Sequence, residues 1–137
     1  MTDRNDWNRG VIDEFRTNDG VVGGMFEGMS LLLLHHTGAK SGTERVNPLV
    51  YLRDGNNYVI FASKAGAPTS PDWYHNLRAN PSTTIEVGVQ SIPVTARVAE
   101  GDERERLFSA QKQAAPQFAE YESKTDRVIP VVVLEPD

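Results

Sequence analysis

Residues 37–81 read TGAKSGTERVNPLVYLRDGNNYVIFASKAGAPTSPDWYHNLRANP, and the turn signals within them decide the fold. Two β-rich runs, 45–52 and 58–63, flank Asp54-Gly55-Asn56-Asn57, a hairpin sequence whose residues tolerate the left-handed backbone of a tight reversal. So short a connection cannot hold a crossover helix, which disfavours a parallel βαβ arrangement. Upstream, the run 31–36 leads into a glycine-flanked tip, Gly38 to Gly42. Downstream, 83–87 and 91–98 are joined by a second reversal at Gly88 to Gln90. The final run, 129–134, is continuous and β-branched, as in a strand buried on both faces. These runs predict a mainly β fold of about six antiparallel strands rolled into a small barrel with peripheral helices.

The helices fall outside and between these runs. Trp7, Val11, Ile12 and Phe15 recur at helical spacing before the stop signal Asn18 to Gly20, which predicts an amphipathic helix over 3–17. Ser70 and Pro71 are suited to open a short helix running through Arg78, and Asn80-Pro81 ends it. Residues 101–115 form a polar helix opened by Asp102 and Glu103, and Pro116 breaks or restarts it. With 137 residues, no repeats and no linker, one domain is expected: a helix and glycine-rich segment over 1–30, then a barrel over 31–137.

Composition narrows the chemistry. A net charge of -5 argues against nucleic-acid binding, which needs broad basic surfaces. With no cysteine there is no disulfide framework or thiolate nucleophile, in keeping with a cytoplasmic protein. The longest aliphatic run is Leu31 to Leu34, too short to span a bilayer. The apolar, glycine-rich stretch VVGGMFEGMSLLLL (21–34) is read chiefly as core or dimer interface, with peripheral membrane contact as the alternative.

Charge is distributed unevenly. Residues 37–80 carry five basic and three acidic side chains, leaving nine basic and sixteen acidic for the rest of the chain. A basic island on an acidic protein suits a local anionic ligand. Its tip has glycines to expose backbone N–H groups, with Lys40 and Ser41 adding a charge and a hydroxyl. Asn47-Pro48 interrupts a strand and predicts an edge or a bulge. Ser63 and Lys64 end the next strand, and Trp73 and Asn76 share one face of the short helix. Together these residues offer cations, amides and an aromatic wall to a planar anionic ligand. The plainer alternative makes Trp73 a core anchor, Asn76 a helix-end cap and Lys64 a surface charge. His35 and His36, adjacent on a strand, face opposite sides and do not chelate one metal. Ser70, Asp72 and His75 lack the nucleophile elbow of a hydrolase.

The ordered set Thr37-Gly38-x-Lys40-Ser41-Gly42, Arg45-Val46-Asn47-Pro48-Leu49, Ala62-Ser63-Lys64, Trp73-Tyr74-x-Asn76-Leu77-x-Ala79-Asn80-Pro81 and Thr125-Asp126-Arg127-x-Ile129-Pro130 resembles the deazaflavin-dependent nitroreductase family. The resemblance implies a split β-barrel and the hydride carrier F420, with its phosphate and oligoglutamate tail. It implies that Lys40, Ser41 and Arg45 hold the anionic part, and that Asn47, Pro48, Ser63, Lys64, Trp73 and Asn76 line the ring. The family's nitroimidazole reducers carry three tyrosines before the last strand, where this chain has Ala115, Phe118 and Tyr121. A phenyl ring keeps the wall and loses the hydroxyl, which counts against nitro reduction, and the resemblance to enzymes that reduce quinones and activated double bonds of unsaturated lactones such as coumarins implies one of these as acceptor. The family also implies a homodimer. Flavin mononucleotide in a similar barrel and a non-catalytic F420 carrier are the two rival readings.

Overall fold

The computed structural model describes residues 4–23, 30–63, 71–125 and 128–137. Lys64, Ser70, Asp126, Arg127 and the side chain of Trp7 therefore lie outside the described residues, as does the 24–29 part of the apolar stretch. The chain runs α1 (Arg4–Thr17), β1 (Leu31–Thr37), β2 (Glu44–Val50), β3 (Leu52–Asp54), β4 (Asn57–Phe61), α2 (Asp72–Ala79), β5 (Ser82–Val87), β6 (Gln90–Val98), α3 (Gly101–Ala114), α4 (Gln117–Ser123), β7 (Val131–Pro136). The strands form one sheet in the order β2-β1-β5-β6-β7-β4-β3, and every pairing is antiparallel.

Seven strands stand where about six were expected, because the single run 45–52 divides at Tyr51. Its two halves are the two end strands of the sheet. One chain segment thus reaches both edges and curls the sheet into a split barrel, with β2 and β3 left as its two end strands. Pro48 sits opposite Leu33 on β2, the edge position its missing N–H demands, and the register runs unbroken through it. Tyr51 N donates to Ser30 O, and bonded pairs recur every second residue, so Pro48 falls at a non-bonded pair with its nitrogen facing outward. The interruption lies at Tyr51, not at Asn47-Pro48.

Alternation sorts the side chains into an interior and two outer layers. Leu32, Leu34, Tyr58, Ile60, Ile85, Val94, Val132 and Leu134 fill the barrel, and α2 adds Trp73 and Leu77. Outside, Val11 and Phe15 of α1 cover Leu31 and Leu33. Leu31 to Leu34 is therefore buried on both faces, which makes this part of the apolar stretch core. On the far side Leu107, Phe108 and Phe118 of α3 and α4 cover Val59, Phe61, Val131 and Val133. α2 begins at Asp72, with Pro71 before it and no side-chain cap, so the expected serine cap is not part of the described helix. No described helix is long and apolar enough to cross a membrane.

Candidate functional site

The β1–β2 hairpin builds the site. Gly38 N–H donates to Thr43 O at 2.9 Å and Gly42 N–H to Gly38 O at 2.9 Å, and Gly42 takes the left-handed conformation at φ +70°. Ser41 Oγ accepts from Thr43 N–H at 3.2 Å. A Cβ at position 38 would run into Ser41 Oγ, so glycine lets this hydroxyl fold back over the tip. These bonds close the turn and leave the Lys40 and Ser41 amides without a partner among the described residues.

The tip faces α2 across a cleft of about 490 Å³ lined by Gly38, Ala39, Lys40, Ser41, Arg45, Asp72, His75 and Asn76. Lys40, Ser41 and Arg45 are exposed to it. Among the described residues neither Lys40 nor Arg45 has an acidic partner, whereas Arg16, Arg97, Arg104, Arg106 and Lys112 are each paired with a carboxylate. Four of the expected residues, Lys40, Ser41, Arg45 and Asn76, therefore share one cavity.

The others are placed less uniformly. Asn47 lies on the barrel-interior side of β2, opposite Leu34, while Pro48 points to the other face, alongside the α1 layer. Ser63, just beyond β4, is buried. Trp73 is 5% exposed and packed among Leu32, Leu34 and Leu77, a core anchor in the single chain. Asn76 is not a helix-end cap. It is 8% exposed, its Oδ1 accepts from Ala39 N–H at 3.0 Å, and it ties the tip to α2.

Ala115 belongs to a separate pocket of about 270 Å³ with Ser30, Tyr51, Arg53, Gln111 and Gln117. This pocket lies at the Leu31–Val50 end of the β1–β2 hairpin, and the cleft lies at the Thr37–Glu44 end, about 20 Å away along strands rising roughly 3.3 Å per residue. Burial raises the pKa of the Tyr51 hydroxyl above that of a free phenol, making it a weaker acid, with the Tyr58 neighbour acting in the same direction. Phe118 is 7% exposed and packs edge-on to Phe61 and Tyr121, with ring centroids 5.7 and 5.1 Å away. Neither Phe118 nor Tyr121 lines the Ala115 pocket.

Three residues at the site escape a reading of motifs. Asp72 and His75, one helical turn apart, line the cleft. His36, 2% exposed, stands between Asn47 Oδ1 at 2.6 Å and Asn76 Nδ2 at 2.9 Å. Burial holds its imidazole below the ordinary value, and the Arg45 charge acts in the same direction against the Asn47 hydrogen bond. Its neighbour His35 points the other way, between Glu86 at 2.7 Å and Glu44 at 2.9 Å. Their opposite facing is the strand alternation expected of adjacent residues, and the turn-set pairing of His36 with Arg45 was the available signal for its place beside the cleft. No group of three potential metal ligands occurs among the described residues.

Known proteins match this architecture. The family model for F420H(2)-dependent quinone reductase matches residues 7–136. F420H(2)-dependent quinone reductase Rv1261c of Mycobacterium tuberculosis is 44% identical over 124 residues, 88% of this chain and 83% of that protein. The solved structure of an F420-H2 dependent reductase, FDR-A, superposes with a TM-score of 0.71 at 43% identity, covering 77% of this chain and 94% of that one. A second solved relative, a domain-swapped dimer, has a TM-score of 0.73 at 39% identity and covers 97% of this chain and all of its own. In fold alone, the heme storage protein HutZ of Vibrio cholerae is also similar, with a TM-score of 0.60 at 14% identity. The chain is a split-barrel oxidoreductase and belongs to the F420H2-dependent quinone reductase family.

Proposed function

We propose that this protein uses F420H2 to reduce a quinone, with the cleft between the β1–β2 tip and α2 as the cofactor site. The observation that carries the reading is the set of donors gathered in one cavity: the Lys40 ammonium, the Ser41 hydroxyl, the Arg45 guanidinium and two amides with no partner among the described residues. This set fits a phosphate and carboxylates, which accept charge-assisted hydrogen bonds from such groups. When bound, F420H2 supplies a hydride. The chain supplies placement: the basic tip holds the anionic part, Asn47, Ser63 and Asn76 offer polar contacts to the ring, and the barrel residues around Trp73 exclude water. Lys64 and Pro48 remain assigned to the ring by family resemblance alone.

On the acceptor side, Ala115, Phe118 and Tyr121 are assigned by family resemblance alone; in the single chain Ala115 and Tyr121 pack against the cluster that holds Phe118, and of the three Tyr121 carries the phenolic hydroxyl. The match to quinone reductases favours quinones, then activated double bonds of lactones or coumarins, over nitro compounds. The domain-swapped relative supports an assembly of two copies, which sedimentation would read directly. The test of function is fluorescence titration with F420, followed by F420H2 oxidation on addition of menadione. Micromolar binding with quinone-dependent oxidation is expected. A protein that purifies yellow with bound flavin and ignores F420, or binds F420 without oxidising F420H2 across a panel of quinones, overturns the proposal.

A further inference from the structure

The polar contacts behind the cleft form a chain with only one possible direction. Ala39 N–H can only donate, so the oxygen that faces it must be Asn76 Oδ1. The Asn76 amide then turns its Nδ2 toward His36 Nδ1, which must accept. A neutral imidazole that accepts at Nδ1 carries its proton at Nε2, and that N–H donates to Asn47 Oδ1. The last amide is thereby oriented, leaving Asn47 Nδ2 as a pair of donors with no partner among the described residues. One backbone amide at the tip thus determines which end of a side chain on β2, on the far side of His36, is offered to a ligand.

We propose that His36 is a positioning residue: it relays the orientation of the Ala39 amide through Asn76 to Asn47, so that the tip is held against α2 and Asn47 presents a donor to a carbonyl oxygen of the bound ring. The inference rests on the cofactor reading of the cleft for its ligand, and on the hydrogen bonds alone for the relay. Protonation of His36 would set an N–H at Nδ1 against the Asn76 amide hydrogens and break the chain at its centre. The groups whose charge His36 senses are Arg45 on β2, Asp72 on α2 and His35 beside it on β1. Arg45 opposes protonation, as does His35, and Asp72 favours it.

Three measurements test the relay. Proton–nitrogen NMR correlation of the ligand-free protein is expected to show His36 as the neutral Nε2–H tautomer at neutral pH. A Nδ1–H tautomer or an imidazolium overturns the relay whether or not F420 binds. His36→Phe keeps a ring and removes both hydrogen bonds. It is expected to speed exchange of the Ala39 amide and to raise the Kd for F420 about tenfold, the size of a lost buried hydrogen bond. His36→Gln can still donate toward Asn47 and is expected to give a smaller rise, about threefold. Unchanged Kd and exchange in both variants overturn the positioning role. If His36→Phe does not fold, the glutamine variant and the tautomer decide. If the wild type binds no F420, the cofactor reading fails alone, and the tautomer and Ala39 exchange still judge the relay. A role confined to stability would lower the melting temperature without weakening the pH dependence of F420 binding. The relay requires that dependence to be weaker in His36→Phe than in the wild type, and an unchanged dependence overturns it.

Discussion

Gly20, just past α1, and Gly88, in the β5–β6 turn, meet so closely that a Cβ at position 20 would lie 2.7 Å from Gly88 Cα. Gly20 also has φ +95°, a conformation that side-chain-bearing residues rarely adopt. The contact docks the end of α1 on the hairpin beside the Arg16–Glu86 ion pair, whose atoms approach to 2.6 Å. Gly20→Ala is expected to destabilise the protein by about 1–3 kcal/mol, from strain and overlap together. Gly10→Ala, inside α1 with open space around it, is expected to stabilise by about 0.5–1 kcal/mol. Thermal unfolding of the two variants checks the contrast, and melting shifts of the same sign would contradict it.

Lys40→Ala tests the anion site. The side chain is exposed at the hairpin tip, so its loss is expected to weaken F420 binding by roughly threefold to tenfold, with a smaller loss at high salt. The effect on the tail-less analogue of F420 is expected to be smaller. Equal losses for both ligands would place Lys40 away from the tail.

The pH dependence follows from His36. Its folded-state pKa is depressed by burial, so the neutral form is favoured in the folded protein. As pH falls below about 6.5, the ordinary imidazole value, the unfolded chain takes up a proton that the folded protein does not, and stability declines. The contribution is full above that value and is lost as pH falls through the folded pKa. Glu86, Asp54 and Glu103 also have depressed values, chiefly from hydrogen bonds to Arg16, Arg106 and Arg97, but they act below the ordinary carboxylate range of about 4.3. Urea unfolding between pH 5 and pH 7 is therefore expected to show a slope that is smaller in His36→Phe. Identical slopes would exclude His36 as its source.

Phe118→Tyr places a hydroxyl at the edge of the cluster formed with Phe61 and Tyr121. In the single chain the new group would be largely buried, and a cost of about 1–2 kcal/mol is expected. A melting temperature equal to that of the wild type would show that the ring edge reaches solvent or substrate. In that case a rise in quinone or nitro turnover is the further expectation.

Much of the fold is legible in residue patterns. The turn residues Asp54-Gly55 and Gly88 mark the hairpins, and the continuous apolar run Tyr58 to Phe61 and the β-branched run before Leu134 mark strands, because these signals depend on neighbours a few positions away. The division of one run at Tyr51 is not legible. Its cause is the need for one segment to serve both ends of a curling sheet, a demand made by strands far away in the chain. The basic tip is likewise local, and Lys40, Ser41 and Arg45 fall where their spacing put them. Asn76 looks like a helix-end residue in sequence and is the hub of the site, since its partners Ala39 and His36 come from another element.

By itself the sequence determined the elements, the antiparallel pairing, the charge of the hairpin tip and the family, all of which reside in short-range patterns or in the order of motifs. Only the tertiary structure decided which faces meet: that Trp73 goes into the barrel, that Pro48 and Asn47 part to opposite sides of β2, that Ala115 lies at the other end of the hairpin from Lys40, and that His36 joins two amides behind the cleft. The reason is physical. A side chain's orientation on a strand follows from its parity, but what it meets depends on register and barrel closure, which are set by burial summed over the whole chain.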